Sequence, residues 1–490
     1  MQAQEIRRRL DHPVIDGDGH VLEYLPAVLP FLRETLGARL FERWQRKKTP
    51  LARIMEADPA RRLSTRAPQS AWWATPARNT RDLATAVAPA LLHERLPELG
   101  IDYAILYPTK GFGIAGIDDD ELRQRVCRGF NEFYAATYGR YADRLTVAGV
   151  IPVHTPVEAI AELEHCAERG FKVVAFPEGV MRPIPEPDDG ASPFLMPGQR
   201  AWFDSLGLDS LHDYDPVWRR AHELGFAVTF HAGLGHVPIS FTSVSNYSFN
   251  HVGAFAQRMH VLVKSLYLGG ATRRLPEVDF AVLECGVGWA AILLHDLVEH
   301  WEKRNLGALE DLDPARIDWR ELEELMQRHG RDLLERAGTA ELRAGLATLP
   351  AVGEPPPDLD DWRHLEAKSE EELVALFAPR FYFGCEADDK TVAFAFSRSN
   401  PLGASLRPML SSDLGHWDAG DLDAILPEAH ELVRRGLLDE EQFSQFVWRN
   451  PASLYLRANP RFFAGTAIAD PAAHLVSSGS FGSSAIGATR

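Results

Sequence analysis

The sequence predicts a single large α/β protein, built as a closed barrel of eight parallel strands with helices between them. Eight short apolar segments alternate with helix-like stretches, which is the pattern of a parallel sheet with crossover helices. Eight such strands are the number that closes a β/α barrel. The length of 490 residues suits one barrel enlarged by insertions.

The eight predicted strands run from residue 13 to residue 413. The first, PVIDGDGH at 13–20, starts as an apolar strand and ends in acids and a histidine. The other seven are IDYAILYP at 101–108, RLTVAGVIP at 144–152, FKVVAFPE at 171–178, FAVTFHAG at 226–233, VDFAVLECG at 278–286, RFYFGCE at 380–386 and PMLSSD at 408–413.

The connectors between the strands carry helical signals. TPVEAIAELEHCAERG has the clearest start and stop, because Thr155 can cap the helix, Pro156 suits its first position and Gly170 ends it. The predicted helices cover 119–142, 156–169, 215–224, 253–269, 288–304 and 420–437.

Several segments extend beyond the alternation of strands and helices. Residues 1–456 are predicted to form one barrel domain, in which 24–98 is a lid over the barrel mouth and 306–375 is an acidic helical insertion. A long loop rich in Pro and Gly is expected at 181–199, after the fourth strand. Residues 457–490 are expected to form a partly mobile tail, because their end has the composition of a linker.

The composition argues against several classes of protein. With 52 basic and 69 acidic side chains the formal charge is -17, so the surface field repels nucleic acid and anionic membranes. No apolar run has the length of a signal sequence or a membrane span, so a cytoplasmic protein is expected. The four cysteines are scattered, which favours neither a disulfide framework nor a zinc ribbon.

Polar residues concentrate at the carboxyl ends of four predicted strands. Asp18 and His20 end the first strand and share one face of it, because alternate residues of a strand point the same way. His231 ends the fifth strand, Glu284 the sixth and Asp413 the eighth. Active sites of β/α barrels lie at this end, and imidazole with carboxylates binds Zn, Mn or Fe. Taken singly, His231 is also explained as a core histidine and Glu284 as the partner of a buried arginine.

The order of these motifs resembles the amidohydrolase superfamily, and within it the amidohydrolase-related group that contains aminocarboxymuconate semialdehyde decarboxylase-like enzymes. DGDGHVLE resembles the first-strand metal motif of this group, TFHAG its fifth-strand histidine, LECGVGW its sixth-strand signature and SSDLGHWD its eighth-strand motif with the catalytic aspartate. The resemblance covers most of residues 13–456. It implies a distorted (β/α)8 TIM barrel, a divalent metal, a homodimer, and hydrolysis or non-oxidative decarboxylation.

By this resemblance Asp18, His20, His231 and Asp413 ligate the primary metal ion. The chain has Asp18 where many relatives have a histidine, and Glu284 where others have a sixth-strand histidine. Crowded carboxylates raise one another's pKa unless cations neutralise them. The acidic replacements therefore favour a dinuclear centre, with two ions of Fe, Mn or Zn.

Further candidates lie near the strand ends in sequence. His251, Glu23 and Glu178 are additional candidate metal ligands. Asp413 is the candidate base for a metal-activated water, whose pKa falls to roughly 7, and it is also explained as a turn residue. His416, three residues later, is the candidate that orients the substrate or assists proton transfer.

The sequence leaves three functions open. The first is metal-dependent hydrolysis of a small-molecule ester, amide or thioester, including an acyl-CoA thioester that the large lid would accommodate. The second is metal-dependent non-oxidative decarboxylation of an aromatic or unsaturated carboxylic acid. The third is a barrel without catalysis that serves as a binding protein. In the two enzymatic cases Arg78, in the lid, is the candidate that binds an anionic part of the substrate.

Overall fold

The parallel strands of the structure overlap all eight predicted segments. The computed structural model describes residues 2–47, 56–70, 79–184, 201–232, 242–337, 344–345, 359–417 and 419–479. Within these residues the strands are β1 Ile15–Val21, β2 Tyr103–Pro108, β3 Leu145–Val147, β4 Gly149–Val150, β5 Val174–Pro177, β6 Val180–Pro183, β7 Ala201–Asp204, β8 Val228–His231, β9 Phe280–Val282, β10 Phe381–Glu386 and β11 Arg407–Ser411.

The parallel strands form two hydrogen-bonded series, and the third predicted strand, at 144–152, belongs to both. One series has the order β1-β2-β3 and the other β11-β10-β9-β8-β5-β4. Only Ala148 separates β3 from β4, and its amide donates to Leu106 O of β2 at 2.8 Å. The next amide, that of Gly149, donates to Val173 O at 3.0 Å on the side of β5. The third predicted strand is thus one strand that pairs on both edges.

The ring closes between β1 and β11. Asp413 N donates to Asp18 O at 3.0 Å, and His20 N donates to Leu414 O at 2.9 Å. The two strands come so close at Gly17 that a Cβ atom there would lie 3.1 Å from Leu410 O. The glycine in the first-strand motif therefore serves barrel closure, and the predicted distorted (β/α)8 barrel is confirmed.

Helices surround the barrel, and each of the six predicted connectors contains one. Thr155 caps its helix as predicted, because its side chain accepts from Glu158 N while the Glu158 carboxylate accepts from Thr155 N. The α-helices of the described residues are Ala3–Arg7, Leu25–Arg46, Pro59–Thr65, Thr80–Val87, Pro89–Leu99, Phe112–Ala115, Asp120–Tyr138, Pro156–Glu168, Asp215–Glu223, Tyr247–His251, Ala254–Leu268, Ala271–Arg274, Gly288–Arg304, Trp319–His329, Arg331–Ala337, Glu370–Phe377, Ile425–Arg434, Glu440–Ser444, Asn450–Ala458 and Ala469–Ser477.

The segment predicted as a lid contacts two parts of the barrel. Its long helix, Leu25–Arg46, packs against the outer helix Asp120–Tyr138. Farther along, Gln69 N donates to Ser243 O at 2.8 Å, and Asn250 Nδ2 donates to Gln69 O at 2.8 Å. These bonds tie the segment to the chain that follows β8, at the carboxyl end of the barrel. Its role as a lid stays a prediction.

Part of the predicted loop at 181–199 is a hairpin. Val180–Pro183 pairs antiparallel with Ala201–Asp204, and residues 185–200 between them lie outside the described residues. A buried ion pair between Arg182 Nε and Asp204 Oδ2, at 2.9 Å, joins the two strands. The sequence between the strands is rich in Pro and Gly, and the alternation that marks a hairpin is short and easily missed.

Two outer helices are held together by a buried ion pair that offers a test of stability. Arg123 donates to Glu158 Oε2 at 2.8 Å, and these residues are 0% and 5% exposed. The Arg123→Met substitution keeps most of the side-chain volume but leaves the buried carboxylate without its guanidinium. We expect the free energy of unfolding to fall by about 3–5 kcal/mol, measured by urea denaturation. An unchanged metal content would show that the loss is confined to stability.

No helix in the described part of the chain combines the length and the apolar character that a membrane span requires.

Candidate metal centre

Six buried side chains meet at the carboxyl end of the barrel. Asp18 and His20 come from β1, and His231 is the last residue of β8. Glu284 follows β9 by two residues, and Asp413 follows β11 by two residues. These residues and His416 are each no more than 8% exposed. The rule that functional side chains follow barrel strands thus brings together the five strand-end candidates.

His20 occupies the middle of the cluster. Its Nε2 lies 3.2 Å from Nε2 of His231, 3.3 Å from Oδ1 of Asp413, 3.7 Å from Oε2 of Glu284 and 3.8 Å from Oδ1 of Asp18. Ligand atoms around one ion with bonds of about 2.1 Å lie roughly 3.0 to 3.5 Å apart. The donor atoms are therefore spaced closely enough for a common ion.

The donors divide into two overlapping groups. One comprises Asp18, His20 and His231, and the other comprises His20, Glu284, Asp413 and His416. Glu284 reaches both groups: its Oε2 lies 3.0 Å from Nε2 of His231, and its Oε1 lies 3.9 Å from Nδ1 of His416. A carboxylate placed in this way can ligate one ion or bridge two.

The carboxylate of Asp18 fits a cation better than it fits the protein alone. Its two oxygens are buried, and no side chain of the described residues donates a hydrogen bond to them. Burial holds the pKa of Asp18 well above its ordinary value, and the nearby charges of Glu284 and Asp16 raise it further. A divalent ion would replace the proton and supply the missing partner, so metal binding here releases protons.

The histidines are suited to act as neutral ligands. Burial lowers the pKa of His20 well below its ordinary value, and the neighbouring His416 and His231 lower it further. Burial also lowers the pKa of His231, against the opposing effect of Asp18. A neutral imidazole is the form that binds a metal, so these side chains need no proton removed near neutral pH.

Backbone strain and a buried aspartate fix the donor side chains in place. Glu284 and Asp413 adopt φ angles of 51° and 49°, in the left-handed region where side chains other than glycine are rare. Such strain typically costs about 1–3 kcal/mol and is found at functional sites. Asp16 accepts from Ser412 N at 2.9 Å and from Ser412 Oγ at 2.6 Å. These bonds join the two strands that carry Asp18 and Asp413.

A carboxylate–imidazole pair lies within the cluster. Nδ1 of His416 lies 2.6 Å from Oδ1 of Asp413, the distance of an ion pair when the imidazole is protonated. On the other side of the ring, Nε2 lies 3.2 Å from Oγ1 of Thr109, which fixes its orientation. Sequence reasoning did not select Thr109. It comes directly after Pro108, the last residue of β2, so the rule of polar residues at strand ends could have found it.

Aromatic rings lie at both ends of the row formed by His231, His20 and His416. Phe112 stacks on His231 with a centroid separation of 4.4 Å, and His20 stacks on His416 at 3.7 Å. Beyond His416, the ring of Trp417 lies 5.4 Å from that of His251. The cluster is therefore bordered by aromatic rings.

The other predicted site residues do not belong to the two donor groups. The carboxylate of Glu23 accepts from Lys110 N at 2.9 Å, Gly111 N at 3.1 Å and Tyr134 Oη at 2.6 Å. Glu178 is paired with Arg258, whose Nη1 lies 3.4 Å from its Oε1. Their assignment as ligands stays a prediction.

His251 and Arg78 are the two remaining predicted site residues. His251 belongs to the aromatic border, where its ring stacks on Tyr247 at 5.2 Å, and its predicted role as a ligand also remains untested. Arg78, the candidate for an anionic part of the substrate, lies outside the described residues.

Some solved structures resemble this one distantly. An amidohydrolase from Mycobacterium avium subsp. paratuberculosis K-10 matches with 16% identity, a TM-score of 0.47 and coverage of 77% of each chain. The 5-carboxyvanillate decarboxylase of Sphingomonas paucimobilis matches with 13% identity and a TM-score of 0.46, over 91% of this chain and 99% of that one. A dihydroxybenzoic acid decarboxylase of Polaromonas sp. JS666, solved with manganese and the inhibitor 2-nitroresorcinol, matches with 14% identity and a TM-score of 0.47, over 91% of this chain and 97% of that one.

Comparison with sequences gives the clearer result. A search of curated proteins finds no match. The sequence profile of the family described as "Amidohydrolase" matches residues 105–372, which is more than half of the chain and includes His231 and Glu284. On this match, the chain belongs to the amidohydrolase family.

Proposed function

We propose that this protein is a metal-dependent decarboxylase that removes CO2 from an aromatic or unsaturated carboxylic acid without oxidation. The observation that carries the proposal is the pair formed by Asp413 and His416, whose Oδ1 and Nδ1 atoms lie 2.6 Å apart inside the buried donor cluster. Non-oxidative decarboxylation needs a proton donor beside the site that holds the carboxylate, and this pair would supply the proton.

The metal would be held by Asp18, His20 and His231, with Asp413 and Glu284 completing the shell. When bound, a divalent ion polarises carboxylate or carbonyl oxygens and lowers the pKa of a water molecule. Mixed imidazole and carboxylate donors suit Mn, Fe or Zn. We further propose two ions, because Glu284 directs one oxygen toward each donor group.

The chain's own residues then account for the proton. Cleavage of the bond between the ring carbon and the carboxylate leaves the electron pair on the ring carbon, and CO2 departs. That carbon takes a proton supplied by the pair of Asp413 and His416. Thr109 keeps the imidazole in line by its contact with Nε2. Phe112, stacked on His231, narrows the access of water to the reacting carbon.

Hydrolysis of an ester, amide or thioester, including an acyl-CoA thioester, is the second candidate. The acidity of the donor set favours it, because Asp18, Glu284 and Asp413 together provide charge for two ions that could share one water molecule. In this case Asp413 would take the proton of the attacking water, and His416 would pass it to the leaving group.

One experiment distinguishes the two reactions. Manganese-loaded protein is incubated with a panel of hydroxybenzoic acids in deuterium oxide, and with p-nitrophenyl acetate in oxygen-18 water. Decarboxylation predicts release of CO2 and one deuteron on the product ring carbon. Labelled acetate without CO2 from any acid would contradict the proposal and favour hydrolysis. The matched control is the same protein after chelation, in which either activity should be lost.

A further inference from the structure

A buried arginine lies beside the metal centre without enough partners. Arg258 stands on the helix Ala254–Leu268, which follows β8 along the chain. Its side chain is 10% exposed. Nη1 contacts Glu178 Oε1 at 3.4 Å, whereas Nη2 is buried and has no hydrogen-bond partner among the described residues. Leaving a buried donor unsatisfied costs about 1–3 kcal/mol, so this atom is expected to have a ligand.

The arginine is at the same end of the barrel as the metal donors. Glu178 follows Pro177, the last residue of β5, and Pro177 is paired in register with His231. Glu178 therefore lies at the carboxyl end of the barrel, one residue beyond the position that is level with His231. Its ion pair with Arg258 places the guanidinium at the same end.

The chemistry of the guanidinium limits what can bind there. It keeps its positive charge, although burial lowers the pKa of Arg258, and its planar fork matches a carboxylate through two parallel hydrogen bonds. The single contact with Glu178 occupies one arm of the fork and leaves the Nη2 arm for a second anion. The donor cluster would hold the reacting group of the substrate, so a second carboxylate of the same substrate needs a separate cation.

We propose that Arg258 binds a carboxylate of the substrate that is distinct from the group undergoing reaction, and that Glu178 is a positioning residue that holds the guanidinium in place. This inference rests on the proposed function only in taking the donor cluster as the reaction site. It defines the substrate class as an acid with a second carboxylate beyond the metal-bound group, and it applies equally to decarboxylation and hydrolysis.

The test measures binding and does not depend on turnover. Isophthalate, with two carboxylates on one ring, is titrated calorimetrically into manganese-loaded wild-type, Arg258→Met and Arg258→Lys proteins, with benzoate and neutral benzamide as matched probes. We expect Arg258→Met to weaken isophthalate binding about 10-fold to 100-fold, and Arg258→Lys to weaken it less. Benzamide binding and metal content should not change.

The outcomes separate this inference from the proposed reaction. Equal affinity of isophthalate for the wild-type and Arg258→Met proteins, or no carboxylate-dependent binding by the wild type, would overturn the role of Arg258. If Arg258→Met does not fold, the Arg258→Lys protein decides the matter, because unchanged isophthalate affinity there would contradict binding by Nη2 of the guanidinium. Loss of isophthalate affinity together with no CO2 release from any acid would support Arg258 and overturn only the decarboxylase proposal.

Discussion

Replacing His20 with alanine is expected to abolish metal binding. Nε2 of His20 lies within 4 Å of donor atoms from His231, Asp18, Glu284 and Asp413, and His20 belongs to both donor groups. Loss of an outer partner of a metal site typically costs about 10-fold to 100-fold in affinity. Loss of this shared ligand should cost more than that, so dialysed protein should retain almost no manganese by elemental analysis.

A surface histidine provides the control for this substitution. His93 pairs with Asp143 on the outside of the barrel, so His93→Ala should leave the metal content at the wild-type level. Metal also binds the folded form in preference to the unfolded one, so chelation should lower the melting temperature of the wild type. The His20→Ala protein should show no such shift. A His20→Ala protein with full metal content would refute the arrangement of ligands described above.

The Asp413→Asn substitution is expected to lower kcat about 100-fold to 10,000-fold, the range that positioned acid–base groups supply. Asparagine keeps the shape and one oxygen of the side chain, but it removes the carboxylate charge that lies 2.6 Å from Nδ1 of His416. KM should change little if Asp413 acts mainly on the proton. The measurement is steady-state kinetics with the acid that gives the fastest CO2 release, at equal manganese loading.

Asp388→Asn is the matched control for this effect. Asp388 follows β10 at the same end of the barrel, but its side chain is exposed and lies outside both donor groups. Its kcat should equal that of the wild type. An Asp413→Asn protein with wild-type kcat would remove Asp413 from the chemistry, whereas a combined loss of manganese and activity would make it chiefly a metal ligand.

The sequence predicted those parts of the protein that follow from local rules. Apolar runs bounded by turns gave all eight barrel strands, because a parallel strand buried on both faces needs little beyond such a run. The end of each strand then pointed to Asp18, His20, His231, Glu284 and Asp413. Barrel geometry brings the carboxyl ends of strands together, so proximity in space followed from position in the strand.

Contacts set by tertiary packing could not be predicted in this way. Glu23 follows the His20 motif by three residues and carries the right chemistry for a ligand, yet its carboxylate accepts hydrogen bonds from Lys110, Gly111 and Tyr134. Nothing in a sequence reveals those donors. Arg258 was missed because nothing in its local sequence distinguishes it from the other arginines of the chain. Only its burial beside Glu178 distinguishes it.

The most direct test of the central claim is the position of the metal. Crystals of manganese-loaded protein would be measured at the manganese, iron and zinc absorption edges. The account predicts anomalous density within about 2.0–2.4 Å of donor atoms from His20 and His231 and from the carboxylates of Asp18 and Asp413, with a second peak beside Glu284 if two ions bind. Anomalous density located elsewhere, with none between these side chains in fully loaded protein, would contradict it.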